Sequence, residues 1–418
     1  MYNKSKRVVV TGLGAVTPYG VGAQLFWDNI KAGKSCIKNG SVLYNYEINP
    51  TQICGEYTDF KPEEYIDPKE AKRMDRYIQF GVVASMEAVK DAGITADNVD
   101  PYRFGVMVGC GAGGLMTVEK NHIAIRDRGP IKCSPFTVPM MITNMASGII
   151  AVKHNAKGPN FAVVTACASG AHSIGEAYRS ILYGDADVII AGGAEAAICD
   201  IGIGAFGAAR TLSKRNDEPE KASRPYDKDR DGFVMSEGSG LLVLEEYEHA
   251  KKRGAKIYCE LVGYGLSCDA YDMVAPSPDG EGAARAMQNA LNDAQIQPTD
   301  VDYINTHGTS THVGDIAEIK GIEKVFGDYA TNGLAISSTK SMHGHLLGAA
   351  AGVEAVASIL AMQENIIPPT INLDNVDEEI PAGMNLVPHK AQEAELNVIM
   401  SNSFGFGGHN ACLIFKKI

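Results

Sequence analysis

The feature that most constrains this chain is that it repeats itself. Ala88, Asp91, Ala92, Ile94, Val99 and Asp100 recur as Ala290, Asp293, Ala294, Ile296, Val301 and Asp302, each 202 residues later. Both copies read as a helix end, a short loop and a strand start. Farther on, Asp187-Val188-Ile189-Ile190-Ala191 is echoed by Asn397-Val398-Ile399-Met400-Ser401, now 210 residues later. Two nearly equal spacings in the same order predict two related halves with small insertions between them. The halves divide at residues 1–255 and 256–418, where Lys256 to Gly263 opens a strand in the role of residues 7–12. A chain of 418 residues is long enough for two such units.

Arg7 to Gly12, Phe104 to Gly109, Val188 to Gly193 and Leu241 to Glu245 read as buried strands. Residues 67–93 are helical in pattern, charged at first (Lys69, Lys72, Arg73, Arg76) and apolar later. Strands alternating with helices indicate an α/β protein, and in βαβ order the sites form at strand C-termini. The net charge of −12 argues against general nucleic-acid binding. Nine scattered cysteines with no C-x-x-C pair suggest neither a disulfide framework nor zinc, and fit a reducing compartment. The basic start Met1 to Arg7 is followed only by Val8-Val9-Val10 before Thr11, too short for a signal sequence. Leu346 to Met362 is broken by Glu354, so it reads as a packed helix rather than a membrane span. A cytoplasmic protein with no membrane partner is expected.

Chemistry concentrates at three kinds of turn. Val163-Val164-Thr165-Ala166-Cys167-Ala168-Ser169-Gly170 reads as a β-branched strand running into the helix Ala171 to Tyr183, with a thiol at the turn. A helix N-terminus favours the thiolate, and small neighbours leave room for a substrate and for N–H groups facing an oxyanion. Cys110 is the rival nucleophile, since it also follows a strand into a Gly-rich turn. Two histidine loops lie in the second half: Asn305-Thr306-His307-Gly308-Thr309-Ser310-Thr311, and Ser338-Thr339-Lys340-Ser341-Met342-His343-Gly344-His345. Together with Cys167 they favour a cysteine–histidine–histidine site. His307, His312, His343 and His345 lack metal-ligand spacing, so no metal is expected. Gly109 to Gly114 matches a dinucleotide pattern without the acidic strand that should follow. Asp227 to Gly232 starts like a calcium loop, but Gly238 stands at its twelfth position. Finally, Ser401-Asn402-Ser403-Phe404-Gly405-Phe406-Gly407-Gly408-His409-Asn410 interleaves glycine with phenylalanine, which suits a backbone that approaches substrate and moves.

Taken in order, Val164 to Gly170, Thr306 to Thr311, Lys340-Ser341-Met342-x-Gly344-His345 and Asn402 to Gly408 resemble the β-ketoacyl-acyl-carrier-protein synthases, most closely the elongating type II branch. The similarity runs nearly end to end and includes Arg224-Pro225-x-Asp227 and Arg230 to Val234. It implies a thiolase-like α/β fold, two duplicated βαβαβαββ-type halves in five α-β-α-β-α layers, usually as a homodimer. It implies that Cys167 takes the acyl chain from its carrier thioester, with an oxyanion hole from the N–H groups of Cys167 and Phe404. His307 and His345 would donate to the malonyl oxygen, and Phe404 would gate entry. Lys340 would set the electrostatics with Glu354 as its partner, while Asp315, Glu318 and Asn402 would support the site. Thr309 and Thr311 would hold the pantetheine arm, and Ala112 would stand at the acyl tunnel. Lys69, Lys72, Arg73 and Arg210 match the residues that dock the acidic acyl-carrier protein. No cofactor is implied beyond the phosphopantetheine the substrates carry.

The chain departs from the resembled enzymes in three places. Ala112 stands where isoleucine is usual, His343 replaces a common threonine, and His312 a common proline. Three rival readings remain: a ketosynthase of a secondary pathway, a non-catalytic chain-length partner, and a degradative thiolase. Cys167 argues against the second. The third would want another catalytic cysteine, where Phe404 and His409 stand. His345 argues against a starter synthase, which would carry asparagine there.

Overall fold

The computed structural model describes residues 6–40 and 48–418; Met1 to Ser5 of the basic N-terminus lie outside them. The first half contributes strands β1 (Val8–Thr17), β2 (Phe104–Gly109), β3 (Asn160–Phe161), β4 (Val188–Glu195) and β5 (Gly238–Glu246). The second contributes β6 (Cys259–Cys268), β7 (Tyr303–Asn305), β8 (Ala335–Ser337), β9 (Val398–Gly405) and β10 (His409–Lys416). With the short strand Gly20–Val21 hairpinned onto β1, they form one eleven-stranded sheet in the order β8-β7-β9-β10-β6-β1-β5-β4-β2-β3. The halves meet at β1 and β6, antiparallel through Val9↔Glu260 and Val10↔Cys259.

Each half has the same internal order and the same strand directions. The repetition reaches individual residues. Thr11 is bulged out of the β1–β5 pairing, and Val262 is bulged out of β6–β10. A side chain on Gly12 would collide with Ala88 O and Ala92 Cβ; one on Gly263 would collide with Ala290 O and Ala294 Cβ. The Leu13 N–H donates to Asp91 at 2.9 Å and the Tyr264 N–H to Asp293 at 3.0 Å. The repeated alanines and aspartates in the sequence are therefore the residues on which each half's first strand rests its glycines and its amide. The match fails beyond the helix end. Strand pairing equates Gly105, opposite Ile189, with Tyr303, opposite Ile399. Val99-Asp100 and Val301-Asp302 are thus not equivalent, because the connection is four residues shorter in the second copy.

Alternation along the strands sorts the core into layers. Ile189 and Ala191 of β4 face a central cluster shared with α2 (Ser169–Tyr183) and α6 (Ala350–Glu364), while Val188 and Ile190 face an outer cluster with α1 (Arg76–Asp91). On the other side, Ile304, Met400 and Ile414 face α3 (Glu281–Ala294) and α4 (His312–Phe326). Helix α6 is buried at every position from Ala350 to Met362, and only Gln363 and Glu364 at its end are exposed, as its place in the middle layer requires. The layering is that of the thiolase-like fold.

Two local readings need correction. The helical pattern over 67–93 is two helices, Pro68–Ala71 and α1, because the Asp75 carboxylate caps a fresh N-terminus by accepting from Tyr77 N–H at 3.3 Å. The β-branched run before Cys167 is not strand: β3 ends at Phe161 and Val164 is exposed. The chain instead enters a 3-10 turn, Ala166–Ala168, ahead of α2. The same turn recurs as Leu347–Ala349 ahead of α6, and the first residue of each has φ of 50°. Cys167 and Gly348 therefore occupy equivalent places in the two halves.

Candidate active site

The site grows from three strand ends and one helix turn. Ser169 closes the Cys167 turn: its hydroxyl accepts from Thr165 N–H at 2.9 Å and donates to Ala166 O at 2.6 Å. This holds Ala166 in its left-handed conformation and brings Cys167 into a cleft that also contains His307, His345, Thr309, Thr311 and Phe404. The cleft holds about 780 Å³ of empty space, counted together with its open mouth. Cys110 does not reach it. Its thiol is fully buried and donates to Glu195 Oε1 at 3.1 Å.

The helix-end argument for a Cys167 thiolate is outweighed. Burial pushes the thiol up to about 12, against the lowering effect of the Lys340 charge and of two N–H groups, its own and that of Phe406. The latter pair faces the sulphur as an oxyanion hole would. The contributing amide is that of Phe406, two residues beyond the expected Phe404, which lies in the β9–β10 ladder opposite Asn410. Gly405 lets the loop come this close, since a Cβ there would stand 2.6 Å from Thr165 O and 3.1 Å from Cys167 N.

His307 follows β7, and His345 follows the single turn α5 (Lys340–His343). Their rings stand edge to face with centroids 5.3 Å apart. Phe404 lies 5.8 Å from the His307 ring and Phe233 5.1 Å from the His345 ring. Burial, and then the Lys340 charge, hold both histidines well below their ordinary value of 6.5, so both are neutral donors at physiological pH. Lys340 is itself buried, and its ammonium is paired with the Glu354 carboxylate.

Buried acids fix the first histidine loop. Glu318 accepts from the N–H groups of His307 at 2.9 Å and Gly308 at 2.7 Å, and from Asn402 Nδ2 at 3.1 Å. Burial raises it to about 7 despite these donors. Asp315 accepts from Ser310 N–H at 3.1 Å and lies 3.4 Å from the Arg230 guanidinium. The hydroxyls of Thr309 and Thr311 are 3.1 Å apart.

Other expected residues lie elsewhere. Ala112 is exposed and does not line the cleft; its N–H donates to Glu195 at 3.2 Å. Lys69, Lys72 and Arg73 are exposed on and after Pro68–Ala71, with Arg73 over the Phe136 ring at 4.9 Å. Arg210 is exposed beside Thr211, which lines the cleft. Among the described residues no cluster of three or more His, Cys, Asp or Glu could hold a metal, and no helix is long and apolar enough to cross a membrane.

Sequence reasoning missed Glu195. Its carboxylate accepts from Gly111 N–H at 2.7 Å and Gly348 N–H at 3.1 Å as well as from Cys110 and Ala112, tying the two halves together behind the Cys167 turn. An acid closing an otherwise apolar strand was the available signal.

Comparison with known proteins points to one family over nearly the whole chain. Residues 5–250 match the beta-ketoacyl synthase N-terminal domain, and residues 258–374 its C-terminal domain. The chain is 49% identical over 414 residues to 3-oxoacyl-[acyl-carrier-protein] synthase 2 of Vibrio cholerae, covering 99% of each. It is 50% identical over 415 residues to the protein of that name from Synechocystis, again covering 99% of each. Among solved structures, a type II polyketide ketosynthase in complex with its acyl-carrier protein superposes with a TM-score of 0.91 at 35% identity, covering 99% of both chains. A beta-ketoacyl synthase from Burkholderia phymatum gives 0.90 at 34% identity, covering 99% of this chain and all of the other.

Proposed function

The chain belongs to the β-ketoacyl synthase family, and from that premise we propose how its residues carry out the reaction. It is an enzyme, a condensing acyltransferase of fatty-acid chain elongation. The thiol of Cys167 attacks an acyl-carrier thioester, forming acyl-Cys167 and releasing the carrier thiol. The tetrahedral oxyanion is met by the N–H groups of Cys167 and Phe406. Malonyl-carrier protein then binds and loses CO2, and the negative charge left on its thioester oxygen is met by N–H groups of His307 and His345. The carbanionic carbon attacks the acyl-cysteine, giving β-ketoacyl-carrier protein and freeing the sulphur. The single observation that carries this reading is a buried cysteine turn facing two neutral histidines across one cleft. Preorganised neutral donors stabilise developing charge without reorganisation.

Lys340, paired with Glu354, supplies the positive charge of the site; Asp315, Glu318 and Asn402 hold the His307 loop. Phe404 covers the His307 ring, and Thr309 and Thr311 bond the pantetheine arm. The partner is an acyl-carrier protein, docking on Lys69, Lys72, Arg73 and Arg210. The neighbour solved with its own acyl-carrier protein supports this. The enzyme works in the cytoplasm as a homodimer of chains divided at 255/256, and uses no cofactor of its own. The exposed apolar residues Phe161, on the β3 edge strand, and Val164, just after it, support the dimer.

The test is intact-mass analysis after incubation with acyl-carrier protein. Cys110→Ala should acquire the acyl mass and Cys167→Ala should not. An acylated Cys167→Ala protein would overturn the assignment.

A further inference from the structure

His343 has no part in this chemistry, yet it is fully buried on α5 between Lys340 and His345. Its Nε2 lies 3.0 Å from Thr339 Oγ1. Thr339 Oγ1 in turn donates to Asn305 Oδ1 at 3.4 Å. Asn305 Nδ2 donates to the main-chain oxygen of Glu354 at 3.3 Å and to Ser358 Oγ at 3.2 Å. Asn305 closes β7, two residues before His307. A threonine hydroxyl has one proton, and here it goes to Asn305, so His343 donates from Nε2. Its Nδ1 makes no side-chain hydrogen bond among the described residues, and the Gly344 main chain bears on the same ring. The ring packs against Phe26, with centroids 5.8 Å apart.

The chain of bonds therefore joins three segments: the one with Lys340 and His345, the one leading to His307, and the helix carrying Glu354. We propose that His343, Thr339 and Asn305 form a buried polar tie that sets the placement of His345 relative to His307, with His343 as a positioning residue. The proposal rests on the donor roles given above to those two histidines. Two donors can share one developing charge only if their separation is held, whereas acyl transfer to Cys167 uses backbone donors and does not depend on it. A side chain shorter than imidazole at 343 does not reach the Thr339 hydroxyl.

The two half-reactions separate the possibilities. Acyl-Cys167 formation is followed by intact mass, and CO2 release from malonyl-carrier protein by the acylated enzyme. For His343→Ala, acylation should stay at the wild-type rate. The kcat for CO2 release should fall about tenfold, with KM unchanged, the scale of a sub-ångström misplacement. Thr339→Val should match it, and the double variant should lose no more than either alone. His343→Gln, whose amide reaches the hydroxyl, should recover most of the rate. Unchanged CO2 release in His343→Ala, equal loss in both half-reactions without rescue by glutamine, or additive losses in the double variant would each overturn the tie. His307→Ala is measured alongside: if it releases CO2 at the wild-type rate, the donor reading fails and the tie falls with it.

Discussion

A neutral histidine donates from one nitrogen without adding a charge to the site, and the structure keeps His307 and His345 neutral by burial. His307 and His345 lie well below 6.5, with the Lys340 charge adding to the effect. Lowering the pH from about 7.5 to about 6 should therefore leave both histidines neutral, where ordinary histidines would protonate, so a fall in CO2 release over that span would report Glu318, raised to about 7, losing its hold on the His307 loop. The same shift has a cost to stability. Histidines of the unfolded chain take up protons as the pH falls through 6.5 while these do not. The histidine part of the stability is present above that pH and lost below it, whereas Glu318, raised to about 7, contributes in the opposite sense, so the histidine part is read as a Tm of His307→Ala that gains on the wild type as the pH falls from 8 to 5. His307→Ala and His345→Ala should still form acyl-Cys167 yet lose condensation by roughly a hundredfold, the scale of one oxyanion donor. The losses should be less than additive because both serve one oxygen. Near wild-type condensation by either variant would refute the two-donor scheme. Which residues gather at the cleft was legible from type and turn context, because a thiol and two imidazoles all stood in small-residue turns. Which backbone N–H faces the sulphur was not: Phe404 and Phe406 look alike in a Gly-Phe alternation, and only the path of the loop across Thr165 and Cys167 distinguishes them.

At the scale of elements, the glycine loop after β9 and the nucleophile turn work as one unit. Gly405→Ala would put a methyl 2.6 Å from Thr165 O and push the Phe406 amide away from the sulphur. Acylation by the variant should slow by roughly a hundredfold. A normal acylation rate would show that the Phe406 N–H takes no part. The long strands and α1, α2 and α6 were legible in the sequence from uninterrupted apolar or small-residue runs. The interruptions were not. Asp75 starts a new helix inside an apparently continuous helical pattern, and Val163-Val164-Thr165 has strand propensity without a strand. There the backbone is claimed by bonds that propensity does not register: Cys110 N–H to Val163 O, and Thr165 N–H to Ser169 Oγ. The four-residue slip between copies was invisible for a similar reason, because valine and aspartate recur at many strand starts.

For the whole molecule, with a net charge of −12, the proposed docking of an acidic carrier would have to rest on a local patch. Lys69→Glu with Arg73→Glu should raise KM for acyl-carrier protein at least tenfold and leave reaction with a small pantetheine thioester unchanged. The wild-type KM should climb with salt on the scale of a Debye length of about 8 Å. Equal effects on both substrates would place these residues outside docking. Light scattering should give twice the mass of one chain, and Phe161→Asp should favour the single chain. The duplication itself carries one more implication. The molecule contains its nucleophile turn twice, at Cys167 and at Gly348, set in matching frames with matching backbone strain. Only one copy is armed. A side chain at 348 would run into Gly111 N and stand 2.7 Å from Glu195 Oε2, so the second copy has been closed from behind by the carboxylate that braces the first. Gly348→Ala should therefore lower Tm and slow acylation of Cys167 together, although Gly348 does not line the cleft.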